Sequence, residues 1–216
     1  MFVGFVNIWI MPLFFLLSGA AGIFGIKRSF REYSASKILR LLVPYIMGVI
    51  ILIPPQKYLE ALSQHHYTGN YLSFLGEYFS GGIFNYPIGF SSAWIGVIAY
   101  HLWFLGHLLV ISLAMYPLLR YLSEKGGVII EKIYKWVSFR GGLLLLFIPV
   151  AVIRILLKKS FPDYTSWADL AIFSMYFLLG FIVTKKNGFN NYFIRDRWVA
   201  LFIGFVLTEF IFCPLE

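Results

Sequence analysis

Charge is scarce in this chain, and acidic charge is the scarcest. Charged residues make up 13% of the 216, with 18 Lys and Arg against 10 Asp and Glu. A soluble domain usually carries about 25% charged residues, so an ordinary water-facing surface is excluded. Cys213 is the one cysteine. It cannot form an internal disulfide, and its place at the end of an apolar run reads as a small buried hydrophobe. Metal-ligating groups are equally thin. His65 and His66 are adjacent, a poor geometry for two ligands on one ion, and no Cys or carboxylate cluster completes a site, so no metal is expected. No glycine loop of the phosphate-cradling kind is present, nor a serine elbow of the G-x-S-x-G kind. Glycine and proline, 19 and 9 residues, do not dominate as they would in a fibrous or disordered chain.

What the chain does have is long apolar runs. Hydrophobic residues reach 60%, and mean hydropathy is +0.79. About 20 such residues cross a bilayer core as a helix. Six candidate spans follow: 2–26, 38–55, 93–119, a short 143–157, 167–184 and 198–214. They are apolar around most of the helix circumference, as lipid-facing helices are. Backbone groups in lipid must be satisfied within their own segment. The expected fold is therefore all-α, a polytopic transmembrane bundle of about six helices. No repeat and no low-complexity linker divides it, so residues 1–216 read as one domain.

The placement of the basic residues orients the bundle. Lys27, Arg28, Arg31, Lys37 and Arg40 lie in 26–40. Arg120, Lys125, Lys132, Lys135 and Arg140 lie in 120–142, and Lys185, Lys186, Arg195 and Arg197 in 185–197. These alternate linkers hold 14 of the 18 basic residues. The intervening 56–92 loop carries only Lys57, and the short fourth-to-fifth connection carries Lys158 and Lys159. By the positive-inside rule the three basic linkers are cytoplasmic. The net charge of +8 is thereby a topological feature, and no nucleic-acid partner is expected. The same topology puts residue 1 outside, with no cytoplasmic anchor before it and no basic leader of the signal-peptide kind. The chain also stops as the sixth span ends. The expectation is an incomplete chain, either a fragment or one read from a late start.

Two connections have character of their own. The 56–92 loop is dense in aromatics, which suits an aromatic belt at the membrane surface or a platform for an acceptor such as a sugar. Within it, 71–79 is amphipathic and predicts a short interfacial helix ended by Ser80-Gly81-Gly82. The segment 121–139 predicts a helix lying on the cytoplasmic surface, where anchoring to anionic lipid is its expected role.

Ionisable residues inside spans are the candidates for chemistry. His101 stands near the outer end of the third span, and its imidazole can act as a general base near neutral pH. The competing reading is a helix–helix hydrogen bond. His107 lies six positions on, so the two do not share one tight face. Glu209, in the sixth span, must be neutral, paired or turned to a cavity, and a structural partner is expected. Ser18 reads as a small packing residue that lets helices approach.

Four motifs in order carry a family resemblance. Trp9-Ile10-Met11-Pro12-Leu13-Phe14-Phe15-Leu16-Leu17-Ser18-Gly19 resembles the second-helix motif of the acyltransferase-3 family. The basic linker leading to Arg40-Leu41-Leu42-Val43-Pro44-Tyr45 is similar to its Arg-Leu-x-x-Pro motif. Pro54-Pro55-Gln56-x-Tyr58 and His101-Leu102-Trp103-Phe104-Leu105 resemble a subgroup that includes glucan-modifying members. The resemblance implies a membrane acyltransferase, in a bacterial inner membrane. It would move an acyl group from acyl-CoA to a hydroxyl of a sugar, glucan or similar acceptor on the far side. It further implies that Lys27, Arg28, Arg31 and Arg40 meet the CoA phosphates and that His101 and Trp103 sit near the acceptor. One departure is plain. The family's first helix, with an Arg and a His held to be central to catalysis, has no counterpart before Trp9. If residue 1 is the native start, an inactive scaffold or remnant competes with the enzyme. A transporter or flippase of a lipid-linked sugar is the third reading, for which internal repeats would be the sign.

Overall fold

Apolar sequence with its backbone satisfied locally gives helix after helix. The computed structural model describes the backbone of residues 2–64, 67–82, 102–162, 166–186 and 188–212. Side chains are described over the same stretches except at 2–8, 64, 81, 82 and 207–212. Among the described residues there is no strand. Helix α1 runs over Phe2–Gly25. A short turn leads to α2, Phe30–Lys37, which starts with a capping box. Ser29 Oγ accepts from the Glu32 amide while the Glu32 carboxylate accepts from the Ser29 amide. This satisfies two of the donors that a helix start leaves open.

Pro44 then shapes the next turn. Its nitrogen carries no hydrogen, and its ring would clash with the carbonyl of Arg40 in a regular α-helix. The chain widens into a π-turn over Ile38–Leu42, in which the Val43 amide bonds to the Ile38 carbonyl five residues back. Helices α3, Val43–Ile51, and α4, Ile53–Gln64, continue the same rod. The predicted short helix in the aromatic loop is present as α5, Tyr71–Glu77, capped by Asn70 and followed by a π-turn over Tyr78–Gly82.

The second half contains α6, Trp103–Glu124; α7, Gly127–Trp136; α8, Ile148–Lys158; α9, Trp167–Lys185; and α10, Phe189–Phe212. A 3-10 stretch, Gly142–Phe147, leads into α8. It starts from Gly141, whose φ of 82° is one that glycine adopts at no steric cost. Three helical stretches among the described residues are long and apolar enough to cross a membrane: Phe30–Ser63, Trp103–Glu124 and Trp167–Lys185. Two boundaries differ from the sequence reading. The sixth helix begins at Phe189, not Trp198, so most of the 185–197 linker is helical. The segment 121–139 is divided, because α6 continues to Glu124 before α7 begins. The aromatic stretch 83–101, with the start of the third span, lies outside the described residues.

The core is the meeting of α1, α6 and α9. A methyl group at position 19 would lie 1.8 Å from the Phe177 carbonyl oxygen, and one at position 180 would lie 1.8 Å from that of Leu16. Only glycine allows α1 and α9 to touch backbone to backbone in this way. The residue that does so is Gly19, the neighbour of the Ser18 singled out from the sequence. Phe15 stacks on Phe173 with ring centres 4.5 Å apart, and Leu119, Phe177 and Phe181 are buried beside them. The outer surface is the reverse of a soluble protein's. Phe24, Leu39, Ile155, Leu156, Trp198 and Phe202 stand exposed, as lipid contact requires.

The three basic linkers gather at one end of this bundle. The Tyr116 hydroxyl on α6 donates to the Arg28 carbonyl at 2.8 Å. Lys185 reaches Ser123 at 2.9 Å, and Lys186 pairs with Glu131. Arg195 donates to the carbonyls of Ser138 and Phe139 beyond the end of α7.

Candidate functional site

Small residues on one helix and cations on the next create a cavity. Ser18, Ala21, Gly22 and Gly25 recur along α1 at helical spacing, so they share a face. Opposite them stand Tyr33, Ser36, Lys37, Arg40 and Leu41, which share a face of α2 and its π-turn. With Phe14, Phe24, Arg28 and Leu108, these residues enclose about 350 Å³. The wall is fixed by hydrogen bonds. The buried Tyr33 hydroxyl donates to the Ser112 carbonyl at 3.3 Å, and its ring lies 4.9 Å from that of Tyr116. Tyr116 in turn holds the Arg28 backbone and accepts from Arg120 at 3.0 Å. A methyl group at position 25 would come within 3.1 Å of the Tyr33 ring.

Three cations therefore converge: Arg28, Lys37 and Arg40. None forms an ion pair among the described residues. Lys37 has its Nζ 5.4 Å from the centre of the Tyr33 ring, and the nearby Glu32 is engaged with the Ser29 amide. The interior is largely apolar, with the hydroxyls of Ser18, Ser36 and Tyr33 as neutral polar groups. No carboxylate or imidazole occurs among the described lining residues. Such a lining can hold an anion beside an apolar chain. It offers no general base of its own.

The residues that the sequence points to fall into four groups. Arg28 and Arg40 come together in the cavity. Lys27 and Arg31 are exposed and do not line it. Arg31 stands nine residues before Arg40, about half a turn out of helical phase. Lys37, which the sequence reading counted only as linker charge, joins the site. Its signal was the spacing Tyr33, Lys37, Arg40, Leu41. Trp103 is in the aromatic core, 4% exposed, with its ring 5.5 Å from Phe173 and 5.2 Å from the His107 imidazole. It stands near the end of α6 remote from Tyr116, about 20 Å along the helix. His107 is fully buried, and its Nδ1 lies 3.2 Å from the Trp103 carbonyl. His101, His65, His66 and Cys213, and the side chain of Glu209, lie outside the described residues. No group of three metal-ligating side chains occurs among the described residues.

A second, smaller cavity of about 90 Å³ adjoins the π-turn, lined by Leu41, Leu42, Tyr45, Leu105, Gly106, Leu109 and Val110. Leu41 is common to both cavities.

Comparison with known families places the whole chain. The acyltransferase-3 family model, described as an acyltransferase domain, matches residues 1–214. No curated protein and no solved structure matches the chain. The match takes in the α1 seam, the Arg40–Pro44 turn and the His101–Leu105 run alike, and the chain belongs to the acyltransferase-3 family of membrane proteins.

Proposed function

We propose that the α1–α2 cavity receives the phosphates of an acyl-CoA donor from the cytoplasm, for acyl transfer to a hydroxyl of a sugar, glucan or similar acceptor. One observation carries this reading: Arg28, Lys37 and Arg40 converge on a largely apolar cavity, without ion-pair partners among the described residues. Guanidinium groups suit bidentate phosphate contacts, and charge-assisted bonds to phosphate are the strong ones. The chain then crosses a bacterial inner membrane several times, with its basic linkers in the cytoplasm.

The chemistry is the attack of the acceptor oxygen on the thioester carbonyl carbon. A C–O bond forms, the C–S bond breaks, and the hydroxyl proton ends on the CoA sulfur. The step needs a base for the hydroxyl and stabilisation of the tetrahedral oxyanion. We assign the base to His101. Trp103, two residues later in the sequence, fixes the start of α6 through its seat in the aromatic core. The cations hold the donor and do no proton transfer.

Titration of the solubilised chain with CoA, dephospho-CoA and pantetheine tests this reading. CoA should bind most tightly, and pantetheine, which has no phosphate, least. Arg40→Gln or Lys37→Gln should each weaken CoA binding about tenfold and leave pantetheine unaffected. Equal binding of CoA and pantetheine would remove the donor assignment. Flux of a lipid-linked sugar without an acylated product would favour the transporter.

A further inference from the structure

Helix α7 keeps one side against the bundle and leaves the other uncovered. Ile130, Ile133, Tyr134 and Val137 form the docked side. The opposite side carries Val128, Ile129, Lys132, Lys135 and Trp136. Trp136 is 78% exposed and Val128 68%. Only Lys125 and Gly126 separate α7 from α6, which is long and apolar enough to cross a membrane. The helix therefore starts at the surface of whatever bilayer α6 crosses.

The charge on this side is unbalanced. Both acids of 120–142 already have cationic partners. Glu124 meets Arg120 at 2.9 Å, and Glu131 pairs with Lys186. Lys125, Lys132, Lys135 and Arg140 are exposed and form no ion pair among the described residues. Among the described residues the docked side is held without hydrogen bonds from Lys132 or Lys135, and Glu131 lies within electrostatic reach of Lys135 while pairing with Lys186. Tyr134 stacks on Tyr192 with ring centres 4.7 Å apart.

We propose that this side of α7 binds anionic phospholipid of the adjacent leaflet. Lys132 and Lys135 meet the headgroup phosphates, while Trp136, Val128 and Ile129 enter the acyl boundary. Charge complementarity decides the partner. A zwitterionic surface would take up the apolar side chains but leave the lysines without counter-charge, whereas an anionic leaflet answers both.

The full chain in nanodiscs of phosphatidylcholine with graded phosphatidylglycerol provides the test. In a Cys213→Ser background, a fluorophore on Val128→Cys reports contact with spin-labelled acyl chains. Quenching should rise with phosphatidylglycerol and weaken as salt is added. Lys132→Gln with Lys135→Gln should lower the preference for phosphatidylglycerol roughly 30-fold, and either alone about fivefold. The salt titration of the unsubstituted lysines reads the same electrostatics should the double variant fail to fold. Quenching by aqueous iodide as free as for the unattached dye, at every lipid composition, would overturn the proposal. So would a preference that neither salt nor the two substitutions reduce, or cross-linking of position 128 to a second copy of the chain.

Discussion

Where α1 crosses α9, two backbones touch at Gly19 and Gly180. Where α7 meets the start of α10, cations and aromatic rings join the aliphatic contacts of Ile133 and Val137. Lys186 Nζ lies 3.9 Å from the centre of the Tyr134 ring, Tyr134 stacks on Tyr192, and the Arg195 guanidinium lies 4.6 Å from the Tyr192 ring. Arg195 also clasps Asp196 at 2.7 and 2.9 Å. The difference follows from the surroundings. Lipid tails are as apolar as leucine, so apolar burial gives helices little reason to associate there, and close van der Waals contact must serve. At the basic end water competes for every polar group. Contacts there draw on cation–π attraction and on carbonyls left open where α7 ends.

The largest expected effect lies in the seam. Gly19→Leu or Gly180→Leu forces a side chain into the facing backbone, which cannot move aside as a flexible side chain would. Each should destabilise the fold by about 3 kcal/mol or more, read as loss of the unfolding transition in detergent. Tolerance of either change would show that the seam is loose.

Asp196 comes next. It is 2% exposed, and the Arg195 hydrogen bonds hold its carboxyl down at about 2, helped by the backbone amides of Gly141 and Leu143. A folded-state value below the unfolded one means that ionisation favours the fold. That contribution is fully present above the ordinary value of 3.8 and is lost as pH falls through about 2. Asp196→Asn should cost about 2 kcal/mol at neutral pH. It should also flatten the stability curve between pH 4 and 2, roughly the window set by that shift. A variant curve parallel to the wild type would place the acid sensitivity elsewhere.

Lys186→Met removes the cation over Tyr134 and the partner of Glu131. It should cost about 1 kcal/mol, with part of the loss masked in high salt. Glu131→Gln, measured alongside it, separates the ion pair from the ring contact. The smallest effect runs the other way. Nothing lies within 4 Å of a methyl group at Gly76 in α5, so Gly76→Ala should stabilise by about 0.5 kcal/mol through the unfolded chain. The same glycine-to-alanine change that is harmless there should be destructive at Gly180.

Much of the site could be read along the chain. Arg40 stood out because Pro44 follows it by four residues, and the π-turn between them is the structural answer to that proline. Arg28 was legible as linker charge but not as different from Lys27 and Arg31. Which cations face the cavity depends on the phase of α2, and that phase is visible only once Tyr33 is seen docked against Tyr116. The small-residue signal on α1 was real, yet it served two ends. Gly19 makes the seam, and Ser18, one position away and on another face, lines the cavity. Trp103 was chosen through its motif, and its burial against Phe173 is a long-range contact that no local pattern encodes.

The sequence by itself determined that this chain is helical, lipid-facing and basic at alternate linkers. Those properties are sums over residues, set by transfer of apolar groups from water and by the need to satisfy each backbone within its own helix. The tertiary structure alone decided which glycines meet, which cations converge on Arg40 and which carbonyls Arg195 reaches. Those depend on the rotation of one helix about its axis relative to another, and a turn of about 100° from one residue to the next changes the partner completely.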